Sequence, residues 1–215
     1  MATKVYVPKM ALNTDVILDA FQLIKHTGNK PLNHWLTATG ELTDWQKTLL
    51  AIVYQKSLNR IGGWNEEELK MKLVSFIFLI ADIDIDGQLA TFFERPLSAT
   101  INKKNLTIIC DCFVATPLGF NTPRSPYFFL QEFKKGKGDQ ADPEGQMLAA
   151  MLIAQSLNND GKPIYGAWLT GSIWFFTILD GKNYYMSTSF DASNEVELLQ
   201  IVFILRKLKD LILNR

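Results

Sequence analysis

Three charged side chains stand where charge is costly. Asp111 is the only charge in the run from Leu106 to Ala115, while Glu132 and Lys134 end the run YFFLQEFKK. If both runs are strands, alternation puts Phe128, Leu130, Glu132 and Lys134 on one face of the later strand, and Phe129, Gln131 and Phe133 on the other. In the earlier strand, Thr107, Ile109, Asp111 and Phe113 share a face. An unpaired ionised carboxylate in such surroundings costs several kcal/mol, about 3 or more, so each acid needs a partner, a metal or a proton. Two carboxylates on neighbouring strands repel each other unless a cation lies between them. Oxygen ligands with an open coordination sphere favour magnesium or manganese over zinc. A metal of this kind polarises a phosphoryl group and lowers the pKa of bound water, and a neighbouring lysine orients that water or offsets developing charge. The chemistry that fits is phosphodiester hydrolysis. A Glu-x-Lys pair alone is usually a solvated strand end; the buried-looking Asp111 upstream is what weighs against that reading.

The elements that must position these residues follow from periodicity. Residues 1–63 read as a helical extension, with one helix from Asp15 to His26 and another begun by the capping-box spacing of Thr43 and Gln46. Gly62 and Gly63 interrupt it. From Asn65, Leu69, Leu73, Phe76, Ile77 and Ile80 recur at helical spacing. LSATI and LTIICDCFVA then read as a hairpin, the stretch from Pro117 to Pro126 as a loop, and YFFLQEFKK as a third strand. Asp142-Pro143 opens a further helix as N-cap and first helical residue. IYGAWLT, SIWFFTIL and NYYMSTSF are further strands, with a tight turn at Asp180-Gly181, and a last helix starts at Asn194. The expected class is α/β, a mixed sheet flanked by helices.

The order helix with Glu, hairpin with Asp111, strand with Glu132-Phe133-Lys134 after twenty intervening residues, then helix resembles the PD-(D/E)XK nuclease superfamily. The runs WNEEELKMKLVSF and FFLQEFKKGKGDQADPEGQMLAAMLIAQSLNNDGKPIYGAW resemble compact bacterial members of that superfamily, from Trp64 to the C-terminal helix. The resemblance implies a restriction-endonuclease-like fold over residues 64–215. It implies that Asp111 and Glu132 bind Mg2+ or Mn2+ and that Lys134 is the catalytic lysine. It also implies that the first helix supplies an acid, with Glu67 favoured over Glu66 and Glu68, and that Gln146 lies beside the site. The substrate expected is nucleic acid, DNA ahead of RNA, with Lys135 and Lys137 guiding the phosphates. The competing expectation is a catalytically silent nuclease fold serving as a binding or assembly module. Zero net charge favours it, as does Ile108, which stands where such proteins often carry glycine.

Composition sets outer bounds. The chain has 215 residues, 47% hydrophobic and 20% charged, enough for one substantial core. Its formal charge of zero excludes a strongly basic nucleic-acid binder but leaves room for a local basic groove. The longest apolar run, Leu73 to Ala81, is too short to span a bilayer, and MATKVYVPKM carries no hydrophobic signal region, so a cytoplasmic protein without a membrane partner is expected. Cys110 and Cys112 cannot complete a four-ligand zinc site and read as core residues. Asp82-Ile83-Asp84-Ile85-Asp86-Gly87 imitates a calcium loop, but Phe93 stands at the twelfth position where a glutamate is required. The apolar face of LLAIVYQKSL would suit a homodimer formed through the N-terminal helices.

Overall fold

The computed structural model describes residues 11–119, 122–135 and 142–214. Its first helix, α1 (Thr14–Phe21), stops at Gln22, whose φ of 54° is left-handed and turns the chain away. The next residues, Ile24–Thr27, form strand β1 and pair in parallel with a late strand. The helix expected to reach His26 is therefore shorter, and the N-terminal region is built into the sheet. A one-residue left-handed break is cheap to encode and leaves little trace in apolar periodicity.

Two helices follow, α2 (Asn33–Leu36) and α3 (Asp44–Ser57). The Thr43–Gln46 capping box is present, and Gln46 also donates its amide to the Ile80 carbonyl at 2.9 Å. Helix α3 turns the apolar face of LLAIVYQKSL inward, burying Leu50 and Val53 with Leu49 and Tyr54 packed against the core, while Trp45 and Ile52 stay exposed. Next, α4 (Glu66–Leu69), a π turn (Lys70–Val74) and α5 (Ser75–Ala81) run on without a break. Asn65 accepts the Glu68 N–H at 2.8 Å and Glu68 reaches back to the Asn65 N–H, as the cap spacing requires. Asp82 is the left-handed residue that ends α5, which accounts for the first aspartate of the calcium-like run.

The hairpin is longer than its sequence pattern promised. Strands β2 (Ala90–Ile101) and β3 (Lys104–Leu118) pair across Asn102 and Lys103, whose positive φ values suit a two-residue turn. Pairing continues through the proline-rich segment read as a loop: Pro117 faces Pro123 and Leu118 faces Thr122 on β4 (Thr122–Lys134). Prolines argue against an interior ladder, yet here they oppose each other beyond the register shifts around Ala115.

Helix α6 (Pro143–Asn158) begins on the expected cap, with Asp142 accepting the Gly145 N–H. It carries the chain to β5 (Ile164–Thr170), parallel to β4, as a parallel pair demands a crossover. The strands β6 (Ile173–Asp180), β7 (Asn183–Met186) and β8 (Phe190–Asp191) follow, then α7 (Glu195–Leu213), capped by Asn194. Among the described residues the sheet has eight strands in the order β1-β7-β6-β5-β4-β3-β2, with β8 on β6.

The sheet is covered on both faces. On one side Phe129, Phe133, Leu169 and Phe176 pack with residues of α2, α3, α5 and α7; on the other, Phe113, Cys110 and Leu179 pack with α1 and α6. Gly166 lets α6 approach β5 closely, since a Cβ there would lie 2.8 Å from the Met147 sulfur. No helix of the described residues is long and apolar enough to cross a membrane.

A candidate metal-binding and catalytic site

The site forms where β3 and β4 separate. Their ladder ends with Cys112 opposite Gln131, so Asp111 and the residues beyond Gln131 have no backbone partners across the β3–β4 gap, while β4 stays paired with β5 on its other side through Lys134. Buried N–H groups need acceptors. The Asp111 carboxylate accepts the Phe133 N–H at 3.0 Å, and the Glu132 carboxylate accepts the Asp111 N–H at a longer 3.4 Å. The two acids cross-fill the gap between their strands.

Local backbone explains how Asp111 gets there. In a regular strand Cys110 and Cys112 would share a face, but Cys110 packs into the α6 side of the sheet and Cys112 into the other. Alternation therefore breaks at Asp111. It does so again in β2 at Glu94, where φ is 52° and which falls opposite Asp111, between the Phe93–Cys112 and Arg95–Cys110 pairs. The expectation that Ile109, Asp111 and Phe113 share one face fails for this reason: Ile109 is 63% exposed while Phe113 is fully buried.

Charge is concentrated at this break. Glu132 is 1% exposed, and burial first, then the Asp111 charge, push its carboxyl well above the ordinary range, with Lys134 pulling the other way. Lys134 is buried too; its Nζ donates to the Phe133 carbonyl at 3.2 Å and lies 3.8 Å from the Asp111 Oδ2 and 3.6 Å from the Glu66 Oε1. Asp111, Glu132 and Lys134 are thus brought together.

The helix acid nearest the lysine is Glu66, where Glu67 had been favoured. Glu67 instead binds Lys70 at 2.5 Å, and Lys70 also holds Glu94 at 2.7 Å. Sequence spacing contained the signal: counting back one turn from Leu69 in the buried stripe gives Glu66. Lys70 and Glu94 were not anticipated as part of the constellation, and nothing in the sequence marks Glu94 as a left-handed residue. Gln146 sits in the first turns of α6, and its side-chain carbonyl oxygen is buried with no hydrogen-bond partner among the described residues. Lys135 follows β4 and is half-buried; Lys137 lies outside the described residues. Both cysteines are free and buried, with their thiols pushed up by burial, so they are core residues as expected.

The donor set fits a hard divalent cation in one respect and limits it in another. Glu132 and Asp111 present carboxylate oxygens at a point where burial and mutual repulsion favour a bound proton or cation. Among the described residues, however, no three acidic, histidine or cysteine side chains form a group that could hold a metal ion. A cation held there would rest on this pair and take its other ligands from water or a phosphate, as magnesium commonly does. No protein-family model matches this chain, and no curated protein matches it.

Proposed function

We propose that the protein is a magnesium- or manganese-dependent nuclease that hydrolyses phosphodiester bonds of nucleic acid in the cytoplasm, with DNA as the favoured substrate. The observation that carries this reading is the Asp111–Glu132 pair, two carboxylates at the parting of β3 and β4, one of them 99% removed from solvent, with the Lys134 ammonium 3.8 Å from Asp111. The order of elements supports a restriction-endonuclease-like core, because an acidic helix, a hairpin, the Glu-x-Lys strand and a crossover helix follow one another around one mixed sheet.

In this reading Asp111 and Glu132 hold the divalent ion, which supplies charge neutralisation at the phosphate and a more acidic water. Lys134 orients the attacking water and offsets charge on the phosphate; its contact with the Phe133 carbonyl and burial among the acids restrict its head group. Glu66 takes the supporting position expected of Glu67, holding Lys134 from the helix side. Gln146, whose buried carbonyl oxygen has no hydrogen-bond partner among the described residues, orients the water. Lys135, which follows β4, provides a phosphate contact, and Lys137 is assigned the same role from its place in the sequence.

A cleavage panel of double- and single-stranded DNA and RNA, with Mg2+, Mn2+ or chelator, tests the proposal. Divalent-dependent cleavage is expected, reduced about a hundredfold or more in Lys134→Ala, as loss of a positioned proton-handling or charge-stabilising group commonly produces. Cleavage that survives Lys134→Ala would refute the mechanism. A wild-type protein that is stabilised by Mn2+ yet cuts none of the substrates would instead support the silent binding module.

A further inference from the structure

Helix α3 carries a second stripe beside the one it turns to the core. Trp45, Leu49, Ile52 and Lys56 follow one another at helical spacing and so lie along one side of the helix. Trp45 and Ile52 are 52% and 50% exposed, and Phe76 of α5, across from them, is 36% exposed. The two helices run in opposite directions: Gln46 near the start of α3 donates to Ile80 near the end of α5, while Lys56 and Lys72 line one groove farther along. Single exposed apolar residues are ordinary, but large ones gathered on one face of a helix pair mark a surface for a partner.

Between the helices lies a groove of about 300 Å3 walled by Leu49, Ile52, Val53, Trp64 and Phe76. Its charged residues are Lys56, Arg60 and Lys72, and no acid among the described residues lines it. Lys72 is committed, with Glu68 at 2.5 Å and the Trp64 ring 5.5 Å from its ammonium. Lys56 and Arg60 are exposed, and their side chains form no ion pair among the described residues. The other end of the stripe is acidic. Asp44 is fully exposed with Lys47 3.8 Å away, and Glu41, just before the helix, is exposed without an ion pair among the described residues. One face thus runs from acids, through an aromatic ring and an apolar groove, to unpaired cations, and the rise from Trp45 to Lys56 is about 16 Å.

Such a face is complementary to itself. A two-fold rotation that lays α3 antiparallel to its copy brings acids against cations at both ends at once, the isologous geometry of a symmetric dimer. We infer that this face joins two copies of the chain. Trp45 of each protomer enters the other's groove beside the partner subunit's Ile52. Glu41 then falls opposite the partner subunit's Lys56, because the two pairs share a midpoint on the stripe, and Asp44 lies close by. An aromatic anchor in a pocket with charges at the rim is how binding energy is commonly distributed at interfaces. The dimer expected from LLAIVYQKSL is therefore built on the outer side of α3 rather than on its core-facing residues. It is independent of the nuclease reading, since none of these residues belongs to the candidate site.

Sedimentation equilibrium of the full chain, at low salt and over a wide concentration range, tests this. Wild type is expected to dimerise reversibly. Trp45→Ala, at a half-exposed position, is expected to raise the dimer Kd about a hundredfold or more, since a two-fold interface loses the anchor twice. Glu41→Lys with Asp44→Lys, and separately Lys56→Glu with Arg60→Glu, are expected to be monomeric alone and to form a mixed dimer when combined, a recovery that a folding defect cannot produce. A monomeric wild type overturns the inference, and so does a dimer that Trp45→Ala or the charge reversals leave unchanged. Charge variants that stay monomeric when mixed overturn it as well. A monomeric wild type that binds a synthetic acidic amphipathic peptide, with binding lost in Lys56→Glu with Arg60→Glu, assigns the groove to a different partner and also overturns it.

Discussion

Replacing Glu132 by Gln removes one charge from the site while keeping its shape, and the effect should reverse sign with metal. The Glu132 carboxyl is held well above its ordinary value of 4.5 by burial and by the charge of Asp111. Below that ordinary value both folded and unfolded chains carry the proton and nothing is lost. As pH rises above 4.5 the unfolded chain gives up its proton first, so the folded chain binds more protons and stability falls until the native pKa is passed. Without metal, the wild type should therefore lose stability between pH 4.5 and neutrality.

The size follows from the surroundings. Burying an ion carries an effective penalty of several kcal/mol even after relaxation. The Asp111 N–H at 3.4 Å and the nearby Lys134 recover part of it, and a glutamine amide can additionally donate to the Asp111 carboxylate. The net gain for Glu132→Gln at pH 8 without metal should be about 2 kcal/mol, a rise in melting temperature of about 4–8 °C for a chain of this length. At pH 4.5 the difference should vanish. With Mn2+ at a hundred times its Kd the wild type gains about 2.7 kcal/mol, and the variant should gain little of it. Thermal melts at both pH values, with chelator and with Mn2+, measure all of this. A Glu132→Gln protein less stable than wild type at pH 8 in chelator would refute the electrostatic account.

Two further outcomes separate neighbouring residues. Glu66→Gln should lower divalent-dependent cleavage by about tenfold, since it loosens Lys134, whereas Glu67→Gln should act mainly on stability through Lys70; equal loss of cleavage in both, measured as kcat/KM, would contradict the placement of Glu66. Gln131 is 0% exposed and neither amide atom has a hydrogen-bond partner among the described residues, so Gln131→Leu should stabilise the fold by about 1 kcal/mol in urea titration, and a comparable loss would mean that the amide has a partner after all.

What could be read in advance divides along physical lines. Helix starts were legible because caps are local chemistry: Thr43, Asn65, Asp142 and Asn194 each stand at the N-cap of a helix. The charged trio was legible because Asp111 and Glu132 interrupt apolar runs. Features that depend on a single backbone residue were not. Gln22 ends α1 and Glu94 kinks β2 through left-handed φ values that glutamine and glutamate do not advertise. Strand β1 was hidden because four residues at a sheet edge, IKHT, carry too little alternation to separate them from the end of a helix. The choice of Glu67 over Glu66 came from the superfamily's spacing, whereas the local phase set by Leu69 points to Glu66.

The parting of β3 and β4 also changes how the acids should be regarded. In a continuous ladder the Phe133 and Asp111 N–H groups would be satisfied by backbone carbonyls, and any side chain could occupy positions 111 and 132. Here the ladder has ended, and each carboxylate is the acceptor for an amide on the opposite strand. The acids are thus part of the wall of the site as well as its contents. Replacing either by alanine leaves a buried N–H without its partner, at a cost of about 1–3 kcal/mol, and so mixes a folding defect with a chemical one. Amide substitutions keep an oxygen for the backbone while removing the charge, and only they can separate the two roles. The same logic makes an apolar residue at position 132 unfavourable even in a protein that never bound a cation, so the presence of Glu132 carries less functional weight than the combination of its burial, the adjacent Asp111 and the lysine 3.8 Å from that aspartate.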